Sequence, residues 1–346
     1  MVKSYKCPSC GGAMEFDGNT QKVVCAYCGN AMSVDEFAED GNESTVGTEE
    51  VTQEEIRADV KSYRCESCGA ELVTDENTTA TLCAFCGNST LIENRLKGQL
   101  MPHRLVPFRL DSNRAKDEYR KYMKKGLLVP KGLLSQSTIE KIQGIYVPFW
   151  LYDYDAECHM DANCTRVRTE RRGDTEYTYT DHYHVTRHTR ALFEKIPADA
   201  SEKMPDREMD LLEPFDYADL KPFEMPYLAG YLSEKYNYTA EQMQERADRR
   251  VNSYIESATR DTIQGYHSTN VTSSHVSRRK RKTEYVLLPV WVLNYRYNGK
   301  EYSFTMNGQT GKIVADRPVS YGKMAGCFAI STLVTLLVTM IGGMFL

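Results

Sequence analysis

Eight of the 11 cysteines lie within the first 86 residues and are spaced as four C-x-x-C pairs. The pairs are Cys7/Cys10, Cys25/Cys28, Cys65/Cys68 and Cys83/Cys86, and a glycine follows each of them. Two such pairs supply the four thiolates of a tetrahedral zinc site. A glycine lets the turn adopt positive φ and point backbone N–H groups at the sulfurs. The pattern therefore predicts two four-cysteine sites that bind two Zn2+ ions per chain.

The two sets of cysteines belong to an internal repeat. Fourteen residues separate the pairs within each set, and residues 4–30 match residues 62–88 at 14 of 27 positions when the chain is shifted by 58. Such a duplication predicts two copies of one small unit. Apolar residues and turn formers between the pairs favour a short hairpin that carries the second pair. We therefore predict one zinc ribbon over residues 1–34 and another over residues 61–96.

Paired cysteines also occur in redox dithiols and iron–sulfur sites. A redox dithiol is normally a single pair on a strand-to-helix turn, and no such context surrounds these pairs. The first residues, MVKSYKC, contain no apolar signal-peptide run, which predicts a reducing cytosol where paired cysteines bind metal. Four thiolates also leave no open position for water on the zinc. We therefore predict structural sites with no catalytic role.

The charge distribution bears on what the ribbons bind. The whole chain has a net charge of −5, and residues 1–96 contain 7 basic and 17 acidic residues. Phosphate repels such an acidic module, so nucleic acid is disfavoured and protein partners are favoured. The alternative function is that of a membrane-tethered protein that binds nucleic acid.

Residues 35–60, between the ribbons, are acidic and poor in apolar residues, which predicts a linker with at most a transient helix.

The last 22 residues, 325–346, contain no charged residue. A helix of that length spans a hydrocarbon core of about 30 Å at about 1.5 Å per residue. Lys312, Arg317 and Lys323 precede it, so the positive-inside rule predicts cytoplasmic N-terminal domains held by a single-pass tail anchor in the cell membrane. The alternative is a buried core helix. Small residues at 322, 325, 326 and 329 would permit helix pairing in a homo-oligomer, although such residues are ordinary in membrane helices.

Residues 97–321 are predicted to form one α+β domain, in which two similar apolar runs carry the only tryptophans, Trp150 and Trp291. Asn298-Gly299 and Asn307-Gly308 are turn signals after the second run, which predicts a three-strand antiparallel meander. The first run predicts a similar sheet through 158–193. We predict helices over 113–125, 227–236 and 239–263, the last opened by a capping box at Thr239. Hairpins and helices without βαβ alternation indicate the α+β class.

No residue pattern indicates a catalytic site. The sequence NGQTGK at 307–312 has the wrong spacing for a phosphate-binding loop and predicts a hairpin turn. His182, His184 and His188 could share a strand face as a metal site, but surface histidines are the simpler interpretation. Cys158 and Cys164 lack a partner pair. The basic run 278–282 is interpreted as the end of a strand. The functional alternative is that it contacts anionic lipid or an acidic partner.

Four features together resemble bacterial membrane-anchored zinc-ribbon proteins of the transcription-factor-IIB (TFIIB) type. They are the CPSCG and CESCG motifs, the two Pro-x-Trp runs, the MNGQTGKIV stretch at 306–314 and the apolar C-terminal segment. Some relatives are labelled PriA-like replication restart helicases, a label that the missing Walker loop and helicase acidic box argue against. The resemblance implies a membrane-tethered adaptor for phage-shock-protein-A-like or flotillin-like partners. We therefore expect a non-enzymatic scaffold.

Overall fold

The structure is a computed structural model that describes residues 2–3, 5–39, 60–64, 71–75, 78–82, 89–92 and 101–344. The chain forms two compact units. The first unit comprises Met1–Val147, Lys203–Lys235 and Leu287–Leu346, and the second unit comprises Pro148–Glu202 and Tyr236–Val286. The residues predicted as one α+β domain, 97–321, therefore contribute to both units. The described residues combine helices with mainly antiparallel sheets, so the α+β class is confirmed.

The described strands, in chain order, are β1 (Val2–Lys3), β2 (Met14–Asp17), β3 (Lys22–Cys25), β4 (Ala31–Met32), β5 (Val60–Arg64), β6 (Glu71–Asp75), β7 (Thr78–Leu82), β8 (Ser89–Ile92), β9 (Arg104–Leu105), β10 (Gln143–Arg172), β11 (Thr175–Asp199), β12 (Lys221–Pro222), β13 (Leu232–Glu234), β14 (Ser268–Tyr297), β15 (Lys300–Asn307) and β16 (Ile313–Ala315). The described α-helices are α1 (Val34–Glu39), α2 (Ser112–Lys124), α3 (Gln136–Ile139), α4 (Asp206–Leu212), α5 (Ala240–Asp261) and α6 (Tyr321–Met344). Short 3-10 turns cover Lys131–Leu134, Tyr217–Asp219 and Met225–Leu228.

An aromatic cluster forms the centre of the first unit. The Phe108 ring stacks on Tyr231 at a centroid distance of 4.1 Å and meets Tyr146 and Trp291 edge-on at 5.0 and 5.1 Å. Trp291 donates its indole N–H to the Leu110 carbonyl at 3.1 Å, which satisfies its one polar atom. The second tryptophan run thus builds the core to which the N-terminal ribbon attaches.

The predicted meander is confirmed in the first unit. Strand β15 pairs antiparallel with β14 and with β16. Asn298 and Gly299 have φ of 50° and 77°, the left-handed pair that a two-residue hairpin requires. The predicted helix over 227–236 is wrong, because a 3-10 turn ends at Leu228 and residues 232–234 pair with β7 and β10 as strand β13. Gly230, at φ 86°, lies between the two elements.

The second unit consists of long antiparallel strands covered by one helix. Strand β10 pairs with β11 from Phe149↔Asp199 to Arg172↔Thr175, around a turn at Gly173. Helix α5 begins at the predicted capping box, in which Thr239 and Gln242 cap each other. One face of α5 is buried in the core of this unit, against alternate residues of β10. Those α5 residues are Ala247, Val251, Ile255 and Thr259.

Candidate metal centre

The N-terminal ribbon presents its cysteines on two turns of the same design. The Gly11 N–H donates to the Cys7 carbonyl at 2.8 Å, and the Gly29 N–H donates to the Cys25 carbonyl at 3.0 Å. Both glycines have positive φ, 72° and 74°, as the sequence predicts. The second turn follows directly on β3, which ends at Cys25. The hairpin therefore carries the second pair of cysteines against the first.

The four sulfurs of this ribbon form a single cluster. The Sγ atoms of Cys7, Cys10, Cys25 and Cys28 all lie within 4.8 Å of one another. Cys7 Sγ is 3.6 Å from Cys28 Sγ, and Cys10 Sγ is 3.5 Å from Cys25 Sγ. A tetrahedron of thiolates about 2.3 Å from zinc has edges of roughly 3.8 Å. The four cysteines are free of disulfides and are spaced as ligands of one tetrahedral metal ion.

Backbone amides face the sulfurs and favour their charged form. Burial raises the pKa of the Cys7 thiol, but the N–H groups of Ser9 and Cys10 outweigh it, and the pKa falls to about 6. The N–H of Cys28 lowers the pKa of Cys25 in the same way. The Gly12 amide lowers the pKa of Cys10, but the neighbouring sulfurs of Cys28 and Cys25 raise it to about 12. Four sulfurs this close cannot all be thiolates without a cation, so the site has the electrostatics of a metal centre.

The ribbon is attached to the aromatic centre of the first unit through its hairpin turn. The Gln21 side-chain amide donates to the Phe108 carbonyl at 2.7 Å, and the Phe16 N–H donates to the Ala229 carbonyl at 2.9 Å. The Phe16 ring meets Tyr227 edge-on at 5.1 Å. Gly18 packs so closely that a Cβ there would lie 2.8 Å from the Phe108 oxygen. The ribbon that carries the cysteine cluster is thus part of the first unit.

The second set of cysteines, Cys65, Cys68, Cys83 and Cys86, lies outside the described residues. The strands around it are described and repeat part of the pairing of the first ribbon. Val24↔Ala31 corresponds to Leu82↔Ser89, and the Lys6↔Ala13 bridge corresponds to Arg64↔Glu71, each displaced by the 58 residues of the sequence repeat. Two differences are that β7 pairs with β13 of the first unit, and that the pairing of β2 with β3 has no counterpart between β6 and β7, which belong to different sheets. The described strands of the second repeat therefore reproduce two outer strand pairs of the first ribbon but not its central hairpin.

The other candidate residues lie on surfaces or in cores. His184 and His188 are exposed on β11, and His188 stacks on His159 with ring centroids 3.9 Å apart. Within the described ranges, the only group of three or more metal-ligating side chains close enough to share an ion is the cysteine cluster of the first ribbon. Cys158 and Cys164 are buried in the second unit, as expected for structural thiols.

The basic run at 278–282 belongs to β14, as the strand interpretation predicts. Arg278 pairs with Asp248 at 3.0 Å, Arg279 with Asp155 at 3.2 Å and Lys282 with Glu284 at 2.9 Å. These carboxylates neutralise much of the charge that would attract anionic lipid to this run.

The NGQTGK stretch is a structural turn. The buried Asn307 side chain accepts from the N–H groups of Gln309 and Thr310 at 2.9 Å and donates to the Leu212 carbonyl at 3.1 Å. Gln309 donates to the Asp216 carbonyl at 3.0 Å and accepts from its N–H at 2.7 Å. These polar side chains are used to fasten the 212–216 segment, which explains their presence without a phosphate ligand.

Helix α6 contains a segment, Tyr321–Ile341, that is long and apolar enough to cross a membrane. No part of that segment is buried against the described part of the protein, which argues against the core-helix alternative.

The sequence did not indicate two features near these sites. One is the attachment of the ribbon through Gly18 and Gln21. The other is the contact between the loop before Lys131 and the start of α6. Neither feature has a sequence motif.

The chain is similar to one curated protein of Bacillus subtilis (strain 168). The two are 42% identical over 329 residues, which cover 95% of this chain and 94% of the relative. The relative is described as "Uncharacterized protein YdjG". No protein-family model and no solved structure matches the chain.

Proposed function

The chain belongs to the family of Bacillus subtilis YdjG, and we propose that it is a membrane-anchored adaptor without enzymatic activity. In this proposal, zinc stabilises two ribbons, helix α6 anchors the chain, and the folded units bind protein partners. The observation that carries it is that the cysteine cluster and α6 both belong to the first unit. The metal then stabilises a body that is tethered to the membrane.

Zinc is the metal proposed for the cysteine cluster. Four thiolates are soft ligands, and a tetrahedral set of this kind is typical of structural zinc. We propose a second zinc on Cys65, Cys68, Cys83 and Cys86, supported by the sequence repeat and by two strand pairs equivalent to those of the first ribbon. A site closed by four sulfurs leaves no position for a reactive water, and this supports a structural role and a non-enzymatic protein.

The proposed anchor is a single membrane-spanning helix with the ribbons in the cytoplasm. Its exposed, apolar segment supports the spanning assignment. The orientation rests on the basic residues Lys312, Arg317 and Lys323 that precede it. Cytoplasmic cysteines would also be in the reducing compartment that metal binding requires.

The long hairpin of β10 and β11 is the proposed docking surface for protein. Tyr177, Tyr179 and Tyr183 are exposed on β11, and Arg166 lies over the Tyr183 ring at 5.6 Å. Tyrosine and arginine dominate the binding energy of protein interfaces. Their exposure on regular strands offers a rigid surface, which supports an adaptor role.

A nucleic-acid-binding function is the second candidate, because exposed tyrosines beside arginines also bind single strands by stacking. Charge argues against it. Residues 165–183 contain four arginines and four carboxylates, and the ribbon region is acidic. Phosphate affinity requires clustered positive charge and falls steeply with salt. Protein partners are therefore the favoured class.

The test uses the full-length chain in detergent and two purified candidates from the same cells, a phage-shock-protein-A-like and a flotillin-like protein. We expect one of them to bind, and the double substitution Tyr177→Ala and Tyr179→Ala to weaken binding by about 5- to 30-fold. Tyr254→Ala is the matched control, because Tyr254 is similarly exposed in the same unit.

Two results would contradict the adaptor proposal. One is that neither candidate binds. The other is salt-sensitive binding of labelled oligonucleotides tighter than about 1 μM at physiological salt, beyond the usual non-specific range, which would favour the nucleic-acid function.

A further inference from the structure

The loop that follows α2 is bonded to the start of α6. The Ser320 N–H donates to the Leu128 carbonyl at 2.8 Å, and the Lys323 ammonium donates to the Val129 carbonyl at 2.7 Å. The loop is itself a closed turn, because the Val129 N–H donates to the Gly126 carbonyl at 3.2 Å. Its position relative to α6 is therefore set by one backbone and one side-chain hydrogen bond to the carbonyls of two neighbouring residues.

The side chains of this segment are unusual for a protein surface. Leu127, at the tip of the turn, is 78% exposed. Lys124, Lys125 and Lys131 lie within four residues of it in the sequence, are exposed, and form no ion pair with any described residue. The preceding lysine on α2 differs, since Lys121 pairs with Glu118 at 2.8 Å. We call residues 124–131 the juxtamembrane loop.

The hydrogen bonds fix the depth of the juxtamembrane loop if α6 spans a bilayer. Ser320, which contacts the loop, precedes the uncharged segment at Ala325 by five residues, or about 7.5 Å at about 1.5 Å per residue. The headgroup region on each side of a bilayer is about 5–8 Å thick. The loop would therefore lie at the level of the headgroups, beside the point where α6 enters the membrane.

Its composition matches that environment. An apolar side chain gains free energy when it is buried at the boundary with the acyl chains, and lysines near an anionic leaflet are attracted to it. Tyr321 and Val319, also exposed, lie at the start of α6, where interfacial aromatic and apolar residues are typical. The support below the loop is rigid, since Tyr122 of α2 donates to the Ala315 carbonyl at 2.6 Å and the Arg317 guanidinium lies 3.9 Å above its ring.

We propose that the juxtamembrane loop is a second membrane contact, which inserts Leu127 into the bilayer interface and places Lys124, Lys125 and Lys131 on anionic headgroups. This inference rests on the proposed spanning role of α6. Its consequence is that the first unit is held in one orientation on the membrane, because a helix and a separate loop both contact it.

The test uses the full-length chain in nanodiscs whose acyl chains are brominated and quench tryptophan on contact. The disc lipid is phosphatidylcholine, with or without phosphatidylglycerol. Three variants each add one tryptophan to the two native ones: Leu127→Trp in the loop, Phe328→Trp in α6, and Leu211→Trp as a control on an exposed site of the first unit. We expect bromine to quench the indoles introduced by Leu127→Trp and Phe328→Trp, but not the one introduced by Leu211→Trp.

The charge is tested by adding Lys124→Gln or Lys125→Gln to Leu127→Trp. Each lysine removed should lower the ratio of lipid-inserted to water-exposed indole by about fivefold in discs that contain phosphatidylglycerol, and little in phosphatidylcholine alone. The variants distinguish the two proposals. Absence of quenching for Phe328→Trp would overturn the spanning helix. Quenching for Phe328→Trp but not for Leu127→Trp would overturn the loop contact alone. It would favour the burial of Leu127 by a protein partner instead.

Discussion

The attachment of the N-terminal ribbon predicts a sharp effect for Gly18→Ala. The added methyl would lie 2.8 Å from the Phe108 carbonyl oxygen and 3.0 Å from its carbon, both backbone atoms that cannot move aside. The φ of Gly18 is outside the left-handed region, so alanine is not strained there and the close contact alone determines the result. The ribbon turn must therefore move away from Phe108.

The magnitude has two parts. Overpacking of this kind costs about 1–3 kcal/mol. Movement of the turn also weakens the hydrogen bond from Gln21 to the Phe108 carbonyl, which contributes about 0.5–1.5 kcal/mol. Together they lower the free energy of ribbon docking by about 2–4 kcal/mol, which corresponds to an increase of about 30- to 1,000-fold in the local opening equilibrium.

Amide hydrogen exchange of the full-length chain in detergent measures this opening. The Phe16 N–H, which donates to Ala229, reports docking, and the Cys25 N–H, which donates to the Asn30 carbonyl inside the ribbon, reports ribbon folding. We expect exchange at Phe16 to accelerate by the factor above and exchange at Cys25 to change little.

Gly132→Ala is the matched control, because nothing lies within 4 Å of its added methyl. It should leave exchange at both amides unchanged. Unaltered exchange at Phe16 in Gly18→Ala would refute the docked arrangement. Equal acceleration at Phe16 and Cys25 would show that the ribbon unfolds instead of detaching.

Three further predictions follow from the site and the fold. Cys25→Ser removes one of four ligands, so elemental analysis should find about one zinc fewer per chain than in the unaltered protein, and visible iron bands would contradict the zinc assignment. Burial raises the pKa of Glu15, so its stabilising contribution is present below the unfolded value of 4.5 and is lost as the pH rises through the folded value. Glu15→Gln should therefore slow exchange at Phe16 at pH 7, and a faster rate would contradict this. Asn307→Ala leaves buried backbone groups unsatisfied and should lower the free energy of unfolding by about 2–4 kcal/mol in denaturant titrations, whereas the exposed Asn294→Ala should have little effect.

Features that depend on local spacing were predictable from the sequence alone. The cysteine pairs and the glycines after them define the turns of the ribbon, because tetrahedral coordination and positive φ leave few alternatives. The capping box at Thr239 and the turn at Asn298-Gly299 are equally local signals, and the structure confirms both. The uncharged C-terminal segment is long enough to cross a membrane by composition alone.

Features that depend on contacts between distant residues required the tertiary structure. The sequence 227–236 reads as a short helix, but the residues after Gly230 form β13, because pairing with β7 and β10 outweighs a weak helical preference. The two tryptophans of the similar runs belong to different units, Trp291 to the first and Trp150 to the second. Nothing in the local sequence distinguishes them, since the difference lies in which distant residues satisfy each indole.

The same limit applies to the site. The sequence identifies the cysteines of the cluster but not the attachment of the ribbon, because Gln21 and Phe108 are separated by 87 residues and carry no motif. Leu127 likewise reads as one apolar residue among many, and only its hydrogen-bonded neighbours place it beside α6. Cysteine spacing and turn chemistry are determined within a few residues, whereas the attachment of the ribbon and the position of Leu127 beside α6 are determined by contacts across the fold, which have no short sequence signal.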